Sequence, residues 1–522
     1  MRKKCFLTLA LAALMALSLA ACGGEEAKRQ ETTVRYGIAG AWDSLMPYNS
    51  VSASNYARLI YDKLYDRLVF VHEDGSLSPR AAESWESVDG GMAAVFHLNQ
   101  NAVFHDGVPA TAQCWVDTFR LMTNPECPTL GRSQFSVFAG TDENGAALSD
   151  GSVAAEALDE WTLKLTFKSI TTPEEFLLAR NREFYVLPMH LLEDVAPADV
   201  MAMPLWEAPV GSGPLMFEEE LVGSRLTLTA NTDYQLGAPG FDKLVITVMD
   251  KSSLLTSLIS GDLDYYAIGA SVSDENAEAA RQAGLTVLEG EVPTSFFELM
   301  LNNETVPAPI RQAIDLALDK ELLCEQNTGE LGVVTDTSML SGAGHSTWRR
   351  DVGAAKELVA STPMDTRELM LATTSNRAGL AALMQQNLAE AGITVTIETV
   401  DSATLFSGMT DGAYDLAIAS HTPSALPLWF TESRLKPGNN IFHIGEEALQ
   451  RYAVELSAIH NAADDEARGA AIKALEEHLA EEKPFLPLWF ARSLHVQSPT
   501  VEGIDYGSAS CSNENVWAWS KA

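Results

Sequence analysis

Basic residues are scarce in this sequence, which has 35 Lys and Arg against 71 Asp and Glu and a formal net charge of −36 at pH 7. A surface this acidic repels the phosphates of nucleic acids and the headgroups of anionic lipids. We therefore expect no nucleic-acid partner, and we interpret the excess negative charge as an aid to solubility.

Long apolar runs are absent beyond the first 21 residues. No later stretch approaches the roughly 18 consecutive apolar residues that a transmembrane helix requires. The chain of 522 residues is nevertheless 46% hydrophobic and 20% charged. That composition is typical of a globular protein with two or three domains, each with a substantial core.

Cysteines are few, and four of the six lie outside the N-terminal segment: Cys114, Cys127, Cys324 and Cys511. An exported chain can form disulfides, and Cys114 and Cys127 are close enough in sequence to pair. The alternative is that these cysteines are buried free thiols. The absence of a Cys-x-x-Cys spacing argues against a zinc or redox site.

Sequence motifs for catalysis are also missing. There is no His-Glu-x-x-His, no phosphate-binding Gly-x-x-x-x-Gly-Lys and no triad spacing, and residues 211–214 (Gly-Ser-Gly-Pro) lack the spacing of a nucleophile elbow. We interpret His105-Asp106-Gly107 as a turn, and Asp262 and Asp264 as a helix end without calcium-loop spacing. The sequence therefore predicts a binding protein without catalytic residues, a resident metal or a cofactor.

The N-terminus has the pattern of a secretory signal peptide over residues 1–21, with basic residues followed by an apolar run and small residues. Residues 19–22 (Leu-Ala-Ala-Cys) resemble the lipobox of bacterial lipoproteins. That resemblance implies that Cys22 is lipidated and that residues 22–32 form a polar tether. The mature chain would then be extracytoplasmic and lipid-anchored to the outer face of the cytoplasmic membrane. An ordinary signal peptide with an incidental Cys is the alternative.

Strands and helices alternate along the rest of the chain, and one unit is especially clear. Residues 368–372 predict a strand, residues 377–391 a helix with one apolar face, and residues 393–397 a second strand. Gly392 is expected to end the helix. A strand–helix–strand crossover favours a parallel sheet, so the chain is expected to have an α/β fold.

Seven segments, in order, resemble the large extracytoplasmic solute-binding proteins of ABC importers, the family that includes oligopeptide-, dipeptide- and nickel-binding proteins. They are residues 61–68, 74–85, 103–112, 210–214, 231–234, 260–264 and 310–320. The resemblance extends from about residue 33 to residue 505, and the run Phe104-His105-Asp106-Gly107 with Pro109 is its most specific match.

The resemblance implies a two-lobed periplasmic-binding-protein-like fold of type II, with a hinge and an additional N-terminal α/β domain. Lobe I is expected to comprise residues 33–65, 205–291 and 492–522, with the extra domain inserted at 66–204. Lobe II is expected at 292–491, and the two chain crossings near residues 292–301 and 488–496. The ligand would lie in the cleft between the lobes.

The resemblance also implies a function. The chain is expected to be a monomeric receptor that captures small peptides in the cleft and delivers them to the permease subunits of an ABC importer. One alternative keeps the fold and replaces the peptide with nickel or a metal chelate. A further alternative, an exported hydrolase or a non-transport signalling receptor, has less support in the sequence.

Five aromatic residues fall near loops expected at the cleft and are candidates for stacking on a ligand: Trp42, Tyr48, Trp429, Phe430 and Trp489. Each of them could instead belong to the core.

The loop that begins at Ser420 is expected to contact the ligand, because relatives use the corresponding loop in this way. Peptide-binding relatives commonly place an acid there, but this chain has no Asp or Glu between Asp415 and Glu432. His421 would contact the metal under the nickel alternative and is otherwise expected to bond within its loop. Arg434 is a candidate partner for a ligand carboxylate.

Overall fold

The computed structural model describes residues 31–48, 55–149, 151–266, 274–340, 346–363, 368–424, 426, 428–435, 441–462, 465–506 and 514–522. The predicted signal peptide, Cys22 and Cys511 lie outside the described residues. None of the helices in these ranges is both long and apolar enough to cross a membrane.

The strands are short, and most of them fall where the sequence alternates or concentrates apolar residues. In chain order they are β1 (Thr33–Ile38), β2 (Val69–Val71), β3 (Leu77–Pro79), β4 (Ala82–Val88), β5 (Ala93–Leu98), β6 (Ala155–Asp159), β7 (Thr162–Thr166), β8 (Leu215–Leu221), β9 (Arg225–Ala230), β10 (Lys243–Val248), β11 (Tyr265–Tyr266), β12 (Thr286–Glu289), β13 (Ser295–Leu301), β14 (Gly332–Val334), β15 (Leu369–Thr373), β16 (Val395–Thr399), β17 (Leu416–His421), β18 (Phe485–Ala491), β19 (Leu494–Gln497), β20 (Val501–Glu502) and β21 (Ser520–Lys521).

The helices lie between these strands and pack on the faces of the sheets. In chain order they are α1 (Asn55–Leu64), α2 (Ala112–Thr123), α3 (Pro173–Arg180), α4 (Lys251–Ile259), α5 (Asp274–Gln282), α6 (Ala308–Ala317), α7 (Lys320–Thr328), α8 (Val352–Ser361), α9 (Ala378–Glu390), α10 (Ser402–Thr410), α11 (Trp429–Arg434), α12 (Glu446–His460) and α13 (Asp465–Glu482).

Lobe I is built on a seven-stranded sheet with the order β12-β19-β11-β1-β10-β9-β8. Its centre is parallel, because β1 pairs in parallel with both β10 and β11. Antiparallel strands extend it on both sides. Its strands come from the beginning, middle and end of the chain, so the lobe forms only when distant segments meet.

Lobe II is built on a six-stranded sheet with the order β14-β18-β13-β17-β15-β16, all from one continuous part of the chain. Apolar side chains cover both faces of its central strand β13: Phe297, Leu299 and Leu301 belong to one core cluster, and Phe296 and Met300 belong to the other. A sheet that is buried on both faces is typical of α/β proteins.

The crossover unit predicted in lobe II is confirmed. Strands β15 and β16 flank helix α9 and pair in parallel, with Leu369 opposite Val395. Gly392 has a positive φ of 85°, the left-handed conformation that glycine adopts readily after a helix. The apolar periodicity of one helix and the adjacent turn residue were therefore sufficient to predict this unit.

A separate four-stranded antiparallel sheet, with the order β4-β5-β7-β6, lies within the segment expected to form the extra domain. Its core is rich in phenylalanine rings that contact one another at centroid distances of about 5–6 Å, including Phe119, Phe135, Phe138 and Phe184. Aromatic packing of this kind stabilises a small sheet that has few helices to cover it.

Cys114 and Cys127 do not pair, and both are free thiols, which was the alternative that the sequence left open. Cys114 lies in the first turn of α2, whereas Cys127 follows its last turn. The intervening helix extends about 14 Å at 1.5 Å per residue, well beyond the reach of a disulfide. Burial raises the pKa of the Cys127 thiol to about 11.

Candidate functional site

Over the residues that the structure describes, the chain passes between the two large sheets twice, and the two crossings lie side by side. One crossing comprises residues 290–294, between β12 and β13, and the other comprises Arg492 and Ser493, between β18 and β19. The predicted first crossing, at 292–301, extended too far, because residues 295–301 form a buried strand of lobe II.

Hydrogen bonds join the two crossings. The backbone N–H of Gly290 donates to the carbonyl of Ser493 at 2.9 Å, and that of Thr294 donates to Ala491 at 2.9 Å. The hydroxyls of Thr294 and Ser493 also bond to each other. Two short, paired segments between two lobes have the geometry of a hinge.

A cavity of about 570 Å³ lies beside the second crossing. Its walls come from β13, the last turn of α7, the residues before α9, the end of β17 and the crossing itself. The lining residues are Ser295, Phe297, Glu325, Gln326, Asn327, Thr328, Gly329, Leu331, Asn376, Arg377, Ser420, Ala491, Arg492, Ser493 and Leu494. The volume falls within the range of small-molecule sites.

Arg377 contributes a positive charge to this cavity, and none of the described residues serves as its counter-ion. Its guanidinium donates to the Ser420 hydroxyl and, at 3.5 Å, to the carbonyl of Ile418. Its Cζ atom lies 5.5 Å from the centre of the Phe297 ring, a cation–π distance. In the part of the chain that the structure describes, no carboxylate lies within ion-pair distance of Arg377. Burial lowers the pKa of Arg377, but a guanidinium remains protonated at neutral pH.

Arg492, the second arginine of the lining, is already neutralised. Its guanidinium forms an ion pair with Glu289 at the end of β12. Arg377 is therefore the lining cation that a bound anion would neutralise.

Comparison with known proteins identifies the family. The family model described as bacterial extracellular solute-binding proteins, family 5 middle, matches residues 76–440. The chain belongs to this family.

Individual relatives of the family cover nearly the whole chain. The oligopeptide-binding protein AppA of Bacillus subtilis (strain 168) is 22% identical, over 97% of this chain and 96% of the relative. The solved ABC transporter substrate binding protein CtaP of Listeria monocytogenes superposes with a TM-score of 0.79 at 19% identity, covering 94% of this chain and all of that one. The solved structure of AppA from Bacillus subtilis in complex with a nonapeptide gives a TM-score of 0.67 at 20% identity, covering 95% and 100%. The expected two-lobed α/β fold is confirmed.

Family membership makes the position of Arg377 informative. Arg377 follows strand β15 and precedes α9, so it lies at the carboxyl end of a strand that is parallel to both of its neighbours. Ligands of open α/β sheets bind at this edge. Sequence reasoning assigned Arg377 only to the start of a helix. The polar run 374–377 between a strand and a helix was the available signal.

The two adjacent candidates Ser420 and His421 are separated by the sheet. They are the last two residues of β17, and successive side chains of a strand point to opposite faces. Ser420 lines the cavity beside Arg377, whereas His421 lies on the other face. There His421 bonds to Glu298 at 2.7 Å through Nε2, and its Nδ1 lies 3.4 Å from a guanidinium nitrogen of Arg434. Both ring nitrogens therefore have protein partners.

Phe430 and Arg434 belong with His421 and not with the cavity lining. Phe430 is only 1% exposed and packs against Phe296 and Phe485. The guanidinium of Arg434 lies 5.5 Å from the centre of the Phe430 ring. The side chain of Trp429 lies outside the described residues.

Trp489 supports the cavity wall from behind. It is fully buried, and its ring stacks on that of Phe297 with centroids 5.1 Å apart. Because Phe297 lines the cavity, Trp489 fixes the orientation of that wall without being part of the lining.

The two candidates of lobe I, Trp42 and Tyr48, also lie apart from the described cavity lining. Trp42 is 7% exposed and donates its indole N–H to Glu220 at 2.6 Å. Tyr48 is 3% exposed, donates to the carbonyl of Tyr185 and accepts from the N–H of the same residue. Tyr48 is therefore a core residue, which was the alternative to its role as a candidate for stacking on a ligand.

His105 bonds to the backbone, as its interpretation as a turn residue predicted. Its Nδ1 accepts from the N–H of Gly211 at 3.0 Å, and its Nε2 bonds to the carbonyl of Gly213 at 3.1 Å. Burial lowers the pKa of His105 to about 4, so the ring is neutral. Asp264 binds Arg35 and Lys521 and so serves as a structural anion. Among the described residues, no group of three or more metal-ligating side chains comes together.

Proposed function

We propose that this chain is the lipid-anchored peptide receptor of an ABC importer and that it acts by binding alone, without a catalytic step. The relatives' names support the ligand class, since AppA is named an oligopeptide-binding protein and its solved structure contains a nonapeptide. The observation that carries the proposal in this chain is a cavity beside the hinge with an arginine, Arg377, that has no carboxylate partner in the described ranges.

The carboxylate at the C-terminus of a peptide is the group that fits Arg377. A guanidinium binds a carboxylate through two parallel hydrogen bonds, and the partial burial of Arg377 strengthens such a pair. The Ser420 hydroxyl, which already contacts the guanidinium, would help to hold it in place. The ring of Phe297 and the hydroxyls of Ser295 and Ser493 would contact peptide atoms without selecting one side chain.

Ligand binding is expected to favour a closed arrangement of the lobes. The cavity borders the crossing at Arg492 and Ser493, so an occupant would contact lobe II and the hinge together. Contacts that exist only when the lobes approach each other shift the population toward the closed form. We propose that the permease subunits recognise that form.

The lipid anchor would keep the receptor near its permease. Acyl chains on Cys22 would supply about 0.8 kcal/mol for each buried CH₂ group, enough for lasting attachment when several chains are present. Confinement to the outer face of the cytoplasmic membrane raises the effective concentration of the receptor at the permease without any new contact. We propose that the anchored receptor is a monomer.

The nickel alternative gains no support from His421. A metal ligand needs a free, unprotonated ring nitrogen, and both nitrogens of His421 face protein partners. We therefore retain the peptide as the proposed ligand.

Calorimetry with a library of di- to pentapeptides, together with mass spectrometry of whatever copurifies, tests the proposal. Tight binding is expected, and Arg377→Gln is expected to weaken it by about 10- to 100-fold, because a hydrogen bond to a charged group contributes roughly 1.5–3 kcal/mol. Lys356→Gln, which removes an exposed cation of α8 outside the cavity, is the matched control. If no peptide binds or copurifies, the proposal is wrong.

The anchor has its own test. Cys22→Ser is expected to leave peptide affinity unchanged and to release the receptor from the membrane, with a loss of uptake in cells. Membrane fractionation and uptake of a labelled peptide measure the two effects. Normal retention and transport by this variant would contradict the proposed role of Cys22.

A further inference from the structure

We propose that Glu325, at the carboxyl end of helix α7, binds the amino group of the ligand, so that the ligand is a peptide with both termini free and lies between Glu325 and Arg377. This inference rests on the proposed peptide function. It adds the second anchor, the orientation of the ligand and the requirement for a free N-terminus.

The loop that follows β17 lacks an acid. The segment after Asp415 has no Asp or Glu until Glu432, so the loop following β17 supplies no carboxylate for an ammonium group. A peptide with a free N-terminus would carry a positive charge into the cavity. Burying that charge without a counter-ion is unfavourable.

Glu325 is the one carboxylate among the described residues that line the cavity. Its side chain is exposed, and within the described part of the chain it forms no hydrogen bond or ion pair. The other nearby acid, Glu289, is occupied by Arg492. Glu325, like Arg377, therefore has no counter-ion among the described residues and is available to bind a ligand.

The backbone around Glu325 favours the same sign of charge. Glu325 to Thr328 form the last turn of α7, and Gln326, Asn327, Thr328 and Gly329 line the cavity with it. The last carbonyl groups of a helix lack partners within the helix and carry a partial negative charge. An ammonium group can donate hydrogen bonds to a carboxylate, and Glu325 supplies that carboxylate in this wall.

The opposite sign of charge comes from a different element of lobe II. Arg377 precedes α9, whereas Glu325 ends α7, and both belong to the same cavity lining. A cavity with one unpaired anion and one unpaired cation neutralises a ligand that carries an amino group and a carboxylate. A simple anion would leave Glu325 without a partner, and a simple cation would leave Arg377 without one.

Three pools of random tetrapeptides test this inference: one with free termini, one N-acetylated and one C-amidated. Native mass spectrometry and calorimetry would measure the binding of each pool to the wild-type chain, to Glu325→Gln and to Glu330→Gln. Glu330 is the matched control, because it is an exposed acid five residues further along that does not line the cavity. Unchanged thermal midpoints would show that the variants fold.

N-acetylation is expected to weaken wild-type binding about tenfold or more. Glu325→Gln should weaken binding of the free peptides by a similar factor, yet leave binding of the N-acetylated pool almost unchanged, since two changes to one contact do not add. Glu330→Gln should have no effect.

Equal binding of the free and N-acetylated pools, or unchanged affinity in Glu325→Gln, would overturn the inference and leave the peptide function intact. Failure of all three pools to bind the wild-type chain would overturn the peptide function and this inference with it.

Discussion

Charged side chains occur in two contrasting settings in this protein: in a sealed cluster beneath the sheet of lobe I, and in the lining of the cavity in lobe II. The sealed cluster comprises three cations, Lys63, Arg67 and Arg80, and three anions, Asp62, Asp66 and Glu514, all at most 1% exposed. In the cavity, Arg377 and Glu325 have no counter-ion among the described residues.

The sealed cluster is held together by direct contacts. Arg80 donates to Asp66 at 2.7 Å and also binds Asp62, while Lys63 donates to Glu514 at 2.6 Å. Burial acts to raise the pKa of Asp62, but the positive charges of Arg80, Arg67 and Lys63 outweigh it and hold that pKa below its usual value. The protein thus neutralises these charges itself.

The two settings distinguish charges that stabilise the fold from charges that are available to a ligand. Residues 61–68, one of the segments that resemble the family, contribute four of the six charges of the sealed cluster. A family signature can therefore mark a structural network. The two charged residues of the cavity, Arg377 and Glu325, lie outside the seven segments that resemble the family.

Removing a charge from the sealed cluster should have the largest effect. Arg80→Met is expected to lower the free energy of unfolding by about 3–5 kcal/mol, because Asp62 and Asp66 would remain buried with fewer counter-ions. Urea unfolding followed by tryptophan fluorescence measures the change. The control Arg225→Met removes a partly exposed arginine paired with Glu219 and should cost less than about 1 kcal/mol. Equal losses in the two variants would erase the contrast between the two settings.

The next effect concerns pH and the buried, neutral His105. The folded-state pKa of about 4 lies below the unfolded value of about 6.5, so His105 contributes stability that is complete above pH 6.5 and lost as the pH falls toward 4. Because each pKa unit corresponds to about 1.36 kcal/mol, the free energy of unfolding should fall by about 3 kcal/mol over this pH range.

The variant His105→Gln should lack this part of the pH dependence, while its stability at pH 7 is lower because two backbone contacts change. Thermal midpoints of both proteins between pH 7 and pH 4 would show the difference. Parallel curves would mean that protonation of His105 does not oppose folding.

The smallest effect on stability is expected at the cavity. Arg377→Gln should change the free energy of unfolding by less than about 1 kcal/mol, because no buried carboxylate loses its partner. The same variant is expected to lose peptide affinity, so stability and binding separate at this position. A stability loss as large as that of Arg80→Met would show that Arg377 also belongs to the structural charges.

Individual helices and strands could be predicted from the pattern of apolar residues within them. The helix predicted at 377–391 is observed at Ala378–Glu390, and the strand predicted at 368–372 is observed at Leu369–Thr373. Residues 446–482 contain two helices, Glu446–His460 and Asp465–Glu482. Apolar periodicity predicts that residues are helical, but it gives little indication of where one helix ends and the next begins.

The candidate site was less accessible to sequence reasoning. Ser420 and His421 were grouped as loop residues, but β17 continues to His421, and the alternation of a strand places them on opposite faces. Arg377 and Glu325 were not chosen, because nothing near them in sequence shows whether a counter-ion comes from elsewhere. Phe430 and Tyr48 were chosen for their aromatic rings, and both rings are buried in core clusters.

The family, the α/β alternation and the parallel crossover unit of lobe II could be predicted from the sequence, because each depends on the order and periodicity of neighbouring residues. Which charges are neutralised within the protein, and which remain for a ligand, became visible in the folded chain alone. Lys63 and Glu514 are 451 residues apart in the chain and yet form one buried ion pair. Such a pairing depends on the meeting of distant segments, and a charge without a partner is recognised only when all the segments around it are in place.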